Sequence, residues 1–255
     1  MKKISKLIIT TAVMACAVGM TAFAANDSTE IKGPGKYLVF GPGPAKLPSQ
    51  MTDTDFVTNL KVAETTNKLV VVVGQEGANV VVTYHEKAED GTWSEVLRSD
   101  GYYGRQGSTT EKREGDQKTP IGVYSFTTAF GLLDDPGCAI PYHKVQSGDY
   151  WVDDSASSNY NKLVNTKTTA KNWNSAENLA AASPYYNYAL ALNYNESCTP
   201  GMGSAIFLHC IVPGSTEGTS GCVKVPEAIM KQIMQKVDAG SKILIVPDEA
   251  SLANY

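Results

Sequence analysis

The sequence predicts a mainly β protein with one late helix. Three observations carry this: two apolar runs rich in valine, KLVVVV and NVVVTY, on either side of a turn at Gly74–Gly77; turn-forming residues recurring along the whole chain; and a single stretch with helical spacing, at Ile229, Ile233 and Val237.

The elements follow in order from the amino terminus. MKKISKLIITTAVMACAVGMTAFAA has three lysines, an apolar run and then Ala22-Phe23-Ala24, the pattern of a secretory signal cleaved after Ala24. The run from Leu7 to Met20 is short for a membrane span, and polar residues follow at once. Export and a soluble mature protein are therefore expected. Cys16 as a lipid-attachment site is the rival reading, and Val13-Met14-Ala15 fits it poorly. Residues 25–66, with Gly33-Pro34-Gly35 and Gly41-Pro42-Gly43-Pro44, read as a leader or tether.

From residue 67 the texture changes. Lys68–Val73 and Asn79–Tyr84 form a hairpin around Gly74–Gly77, and a strand around Trp93–Leu97 follows the Asp90-Gly91 turn. Gly122–Thr127, Tyr188–Tyr194, Ala205–His209 and Lys242–Pro247 supply further strands, and 138–188 reads as aromatic-rich loops. Pro226 suits the first turn of the one helix, which Gly240 ends. The folded domain is expected over 67–247, with 248–255 as a tail.

Charge narrows the functional classes. The chain has 22 Lys and Arg against 26 Asp and Glu; loss of Lys2, Lys3 and Lys6 with the signal takes the net charge from −4 to −7. An acidic chain with no basic cluster excludes nucleic acid as the expected partner. Four cysteines remain after the signal, Cys138, Cys198, Cys210 and Cys222, and no CxxC pair marks a structural zinc site. Cys138 and Cys198 lie in loop-like sequence, so a bridge between them is the preferred pairing for an exported chain.

The chemistry is concentrated in IFLHCIVPGSTEGTSGCVKVP, residues 206–226. His209 at the end of a strand and Cys222 after a glycine suit a general base and a thiol nucleophile. The amides of Ser220, Gly221 and Cys222 are candidate oxyanion donors, and the helix that follows favours a thiolate near its start. Spacing alone leaves three alternatives open: a packed His and Cys with no catalytic role, a Cys210–Cys222 disulfide, and a metal held by His209, Cys210 and Cys222.

GTSGCVKVP preceded by FLH resembles the signature of the L,D-transpeptidase catalytic domain family. GYYGRQG, EGDQKTPIGVYSF, the AFG at 129–131, YWVDD and SAIFLH resemble that family's blocks in the same order, from about Leu69 to Val246. The resemblance implies a mixed β-sandwich, Cys222 as the acyl-accepting nucleophile, His209 as its general base and acid, and no metal or cofactor. It further implies peptidoglycan stem peptides as partners, carbapenem acylation at Cys222, and action as a monomer in the cell wall or periplasm. Water in place of an amine acceptor would make the protein an L,D-carboxypeptidase, and loss of catalysis would leave a wall-binding domain. The sequence departs from the family at two positions: Ser220 stands where a second histidine is usual, and Lys224 where Asn or Arg is usual.

Other polar and aromatic residues receive plainer readings. His143 is expected at the surface, Tyr142, Trp151 and Tyr160 in core packing, Asp116 and Lys118 in ordering the loop before Pro120, and Asp153-Asp154 in a solvated turn.

Overall fold

A computed structural model describes residues 56–255. The signal peptide, Cys16 and most of the leader lie outside the described residues. Fourteen strands and one α-helix make up the body: β1 (Lys68–Gly74), β2 (Asn79–Lys87), β3 (Trp93–Tyr102), β4 (Ser108–Thr109), β5 (Thr119–Pro120), β6 (Gly122–Gly131) and β7 (Tyr142–Lys144), then β8 (Asp149–Val152), β9 (Leu163–Asn165), β10 (Ala176–Asn178), β11 (Ala189–Leu192), β12 (Phe207–Cys210), β13 (Val223–Val225), α1 (Glu227–Lys236) and β14 (Lys242–Val246). The mainly β prediction with one helix after the cysteine holds.

Nine strands form one mixed sheet in the order β11-β12-β13-β3-β2-β1-β14-β6-β7. The long strand β6 pairs with β14 through Gly122–Ser125 and with β11 through Phe126–Phe130, so the sheet closes on itself. Inside lie Val70, Val72, Val82, Leu190, Leu208, Val223 and Ile245, with Ile229, Met230, Ile233 and Met234 of α1. Period-two alternation explains why β1 reads as an unbroken valine run: Val70 and Val72 enter this core, while Leu69, Val71 and Val73 enter a second one on the other face.

That second core corrects two boundaries. Residues 56–66 and 248–255, read from the sequence as the end of a tether and a tail, pack against the sheet. Short 3₁₀ turns at Phe56–Asn59 and Lys61–Glu64 bury Val57, Leu60, Val62 and Ala63, and a turn at Ala250–Asn254 buries Leu252. The Val62 N–H donates to the Tyr255 carbonyl, tying the two segments together. Three-residue periodicity over so few residues is too short to register as an amphipathic pattern.

Between β6 and β11 the chain builds a smaller sheet in the order β10-β8-β9. With a 3₁₀ turn at Leu179–Ala181 it lies over a third apolar cluster: Phe130, Trp151, Leu179, Tyr186, Ala189, Ala191 and Phe207, with Cys222 packed against it.

Candidate active site

β12 and β13 run parallel, pairing Leu208 with Val223 and His209 with Lys224. Residues two apart on a strand share a face, so Phe207 and His209 on β12 stand beside Cys222 and Lys224, on the side away from the main core. Leu208 and Cys210 point the other way, into the main core. This alternation separates the two cysteines of the motif. Cys210 is fully buried with its thiol toward the Tyr188 carbonyl, 3.4 Å away, which removes the physical basis for a Cys210–Cys222 bridge or a His209–Cys210–Cys222 metal site.

The aromatic cluster forms the floor. Phe207 packs edge-on against Trp151 (4.8 Å between centroids) and Tyr186 (5.7 Å), and Tyr186 stands edge-on to His209 at 5.5 Å. Above it opens a cleft of about 230 Å³ whose lining includes His209, Cys222, Glu177, Tyr185, Arg105 and Lys224.

His209 is 5% exposed, and its Nδ1 lies 2.9 Å from the Cys210 carbonyl. A carbonyl only accepts, so Nδ1 carries the proton and Nε2 is the basic nitrogen. Burial pushes the imidazole down to about 4; its backbone hydrogen bonds oppose this and the Lys224 cation adds to it. The Cys222 thiol donates to the Ala205 carbonyl at 3.1 Å and accepts from the Phe207 N–H at 3.4 Å. Burial raises it to about 12, the Phe207 amide working against that and Glu177 with it. The resting pair is therefore neutral thiol and neutral imidazole. The thiolate expected from the helix does not arise, because β13 intervenes between Cys222 and α1, at roughly 3.3 Å per residue.

The loop before Cys222 is held from three sides. Thr219 Oγ1 donates to the Cys222 carbonyl at 2.6 Å and accepts from the Gly221 N–H at 3.0 Å. Thr119 Oγ1 accepts from the Gly104 N–H and donates to the Gly221 carbonyl, both at 2.8 Å, which explains how the distant GYYG and DQKTP blocks serve this site. Gly221 has φ +152°, and a Cβ there would stand 3.1 Å from Ile206 Cδ1 and from the Lys118 carbonyl. A side chain there would be strained both by this backbone conformation and by these contacts. Of the three expected oxyanion donors, the Gly221 amide is already engaged by Thr219; among the described residues the amides of Ser220 and Cys222 carry no such bond. The Ser220 side chain is exposed.

The remaining predicted residues fall elsewhere. His143 Nε2 donates to Asp149 Oδ2 at 2.8 Å in a partly exposed pair, away from the cleft. Asp116 binds the Lys112 ammonium and the amides of Arg113 and Lys118, ordering its loop as expected. Trp151 and Tyr160 are buried in packing, and Asp154 closes a turn through Ala156 and Asn174. All four described cysteines are free, so the preferred Cys138–Cys198 pairing is not present. Cys198 instead points its thiol at the carbonyls of Glu196 and Asn161.

Glu177, Tyr185, Tyr186 and Arg105 line the cleft without a local sequence signal that marks them for it. Glu177 is held by Tyr186 Oη at 3.3 Å, and burial, with Asp153 nearby, raises its carboxyl above the ordinary range.

The model of the L,D-transpeptidase catalytic domain matches residues 54–245. The chain belongs to this family. Solved structures similar to it include a variant of the helical cell shape determining protein Pgp2 from Campylobacter jejuni (16% identity, TM-score 0.39, covering 80% of this chain and 58% of that one). A cysteine-to-serine variant of the L,D-transpeptidase from Enterococcus faecium (14%, 0.33, 71% and 50%) and the L,D-transpeptidase from Stackebrandtia nassauensis (14%, 0.32, 72% and 57%) are similar too. The chain thus spans little more than half the length of the solved structures it matches. No curated protein matches it significantly.

Proposed function

We propose that this chain is an exported peptidoglycan L,D-transpeptidase working through a Cys222 thioester. One observation carries the reading: the strand register puts Cys222 and a His209 whose Nε2 is the basic nitrogen on the same face, in one cleft floored by apolar rings.

In this reading the Cys222 thiol leaves the Ala205 carbonyl and attacks the carbonyl of the third, diamino acid residue of a stem peptide. Its proton passes to His209 Nε2. The amides of Ser220 and Cys222 face the developing oxyanion, whose stabilisation is strong in so dry a site. Collapse breaks the bond to the terminal D-alanine, His209 returns the proton to the departing amine, and the thioester remains. An amine from a neighbouring stem then attacks and gives its proton to His209; the thioester C–S bond breaks, a new amide cross-link forms, and His209 passes the proton to the departing Cys222 sulfur. A depressed imidazole matches this cycle, since the base must start neutral.

Incubation of the protein with purified muropeptides, followed by mass spectrometry, tests the proposal. Cross-linked dimers joined through the third residue are expected. Trimmed tripeptides without dimers would make the protein an L,D-carboxypeptidase, and unchanged muropeptides would leave a wall-binding domain.

A further inference from the structure

Lys224 is a buried ammonium without an ion pair among the described residues. It is 3% exposed, yet its side chain lines the cleft. Its Nζ donates to Ser215 Oγ at 3.3 Å and stands 5.2 Å from the centre of the Tyr102 ring. Among the described residues no carboxylate comes within ion-pair distance of it; Glu217 acts from farther away. Burial holds its amine below the ordinary value, Glu217 pulls it back up, and the second cation of the cleft, Arg105, pushes it down again. Arg105 is exposed and has no ion pair among the described residues. Two cations on one wall, one of them desolvated, disfavour each other until an anion joins them. Two acids line the cleft as well: Glu177 bears on Cys222, and Glu217 acts on Lys224 from beyond ion-pair distance, so neither closes an ion pair with the two cations.

We propose that Lys224 and Arg105 bind the terminal carboxylate of the donor peptide, one residue beyond the scissile bond, and so fix the direction in which the peptide lies across Cys222. The proposal rests on the transpeptidase reading above. It suits the register: Lys224 follows Cys222 by two residues on the same face of β13, about 6.6 Å along the strand, and the terminal carboxylate lies one residue past the attacked carbonyl. Lys224 is thus a positioning residue for the leaving group's charge, distinct from the groups that move protons.

The test compares tetrapeptide donors ending in D-alanine and in D-alaninamide, which differ only in that charge. For the unmodified protein the amide should lower kcat/KM by at least about ten-fold, chiefly through KM, as expected for loss of a charge-assisted hydrogen bond. Lys224→Met should react poorly with both donors and discriminate little between them, and Lys224→Arg should restore most of the preference. Arg105→Gln, at an exposed position where folding is safe, should reduce the preference in part. Equal use of both donors by the unmodified protein, or undiminished preference in Lys224→Met and Arg105→Gln, would overturn the proposal while leaving the transpeptidase reading standing. Turnover of neither donor would overturn both.

Discussion

Two buried histidines sit on different strands of the main sheet, and only one of them opens on a cleft. His85, on β2, is fully buried beneath the 56–66 segment, its Nε2 2.8 Å from Thr83 Oγ1, its ring edge-on to Phe56 and its Nδ1 without a partner. His209 is nearly as buried. Burial depresses both, to about 3 and about 4, each with a nearby cation adding to it, Arg98 for one and Lys224 for the other. Titration alone does not tell them apart. What differs is the neighbourhood: His85 is closed in by Phe56, Thr83 and the buried Glu95–Arg98 pair, whereas His209 opens on a cleft with a thiol and unengaged amides.

The largest effects should break the two apart by readout. His209→Ala should lower turnover by about 10²–10⁴ with the fold intact, and Cys222→Ala should abolish acylation. His85→Ala should instead cost about 2–4 kcal/mol in urea unfolding through lost packing, with the folded fraction as active as before. Loss of activity per folded molecule in His85→Ala would erase the distinction.

A second effect separates them by pH. Because His209 must be neutral to act, the acid limb of kcat/KM should fall near its depressed value of about 4, well below an ordinary histidine, and Lys224→Met should move that limb upward by removing a cation. Stability should behave differently, since both folded values lie below the unfolded one. The unfolded chain takes up protons first, so stability is full above about pH 6.5 and declines as pH falls from there toward 4 and 3, by at most about 1.4 kcal/mol per pH unit for each histidine. His85→Leu should flatten part of that decline without moving the kinetic limb.

Smaller still is the backbone effect at Gly221. Gly221→Ala should cost about 1–3 kcal/mol, since φ +152° and the contacts with Ile206 and Lys118 oppose a Cβ, and turnover should fall with the displaced Cys222. Ser220→Ala should be the mildest, within about 0.5 kcal/mol in stability and a few-fold in turnover, as its side chain is exposed. A large loss of turnover there would give Ser220 a share in the work of the usual second histidine.

Much of the fold was legible where one strand or helix carries its own signal. The valine runs of β1 and β2, the Asp90-Gly91 turn and the Ile229, Ile233, Val237 spacing of α1 each declare an element locally. Residues 56–66 did not, because four apolar residues on two 3₁₀ turns acquire meaning only against the face of β1 and β14 that they cover. The same division holds at the site. His209 and Cys222 could be paired because the flanking blocks resemble one family; their spacing alone left the pairing open. Glu177, Arg105 and Tyr186 come from β10, the loop after β3 and the approach to β11, and only the closure of the sheet brings them to the cleft. Lys224 was visible as a departure from the family's pattern, but its burial beside the cleft follows from the β12–β13 register.

The central claim is that Cys222 accepts the acyl group of a stem peptide. Rapid-quench intact-mass analysis of the protein mixed with a tetrapeptide donor tests it most directly. A tripeptidyl adduct mapped to Cys222 is expected, formed with release of D-alanine and absent from Cys222→Ala. Donor turnover without that adduct, or an equal adduct in Cys222→Ala, would contradict it.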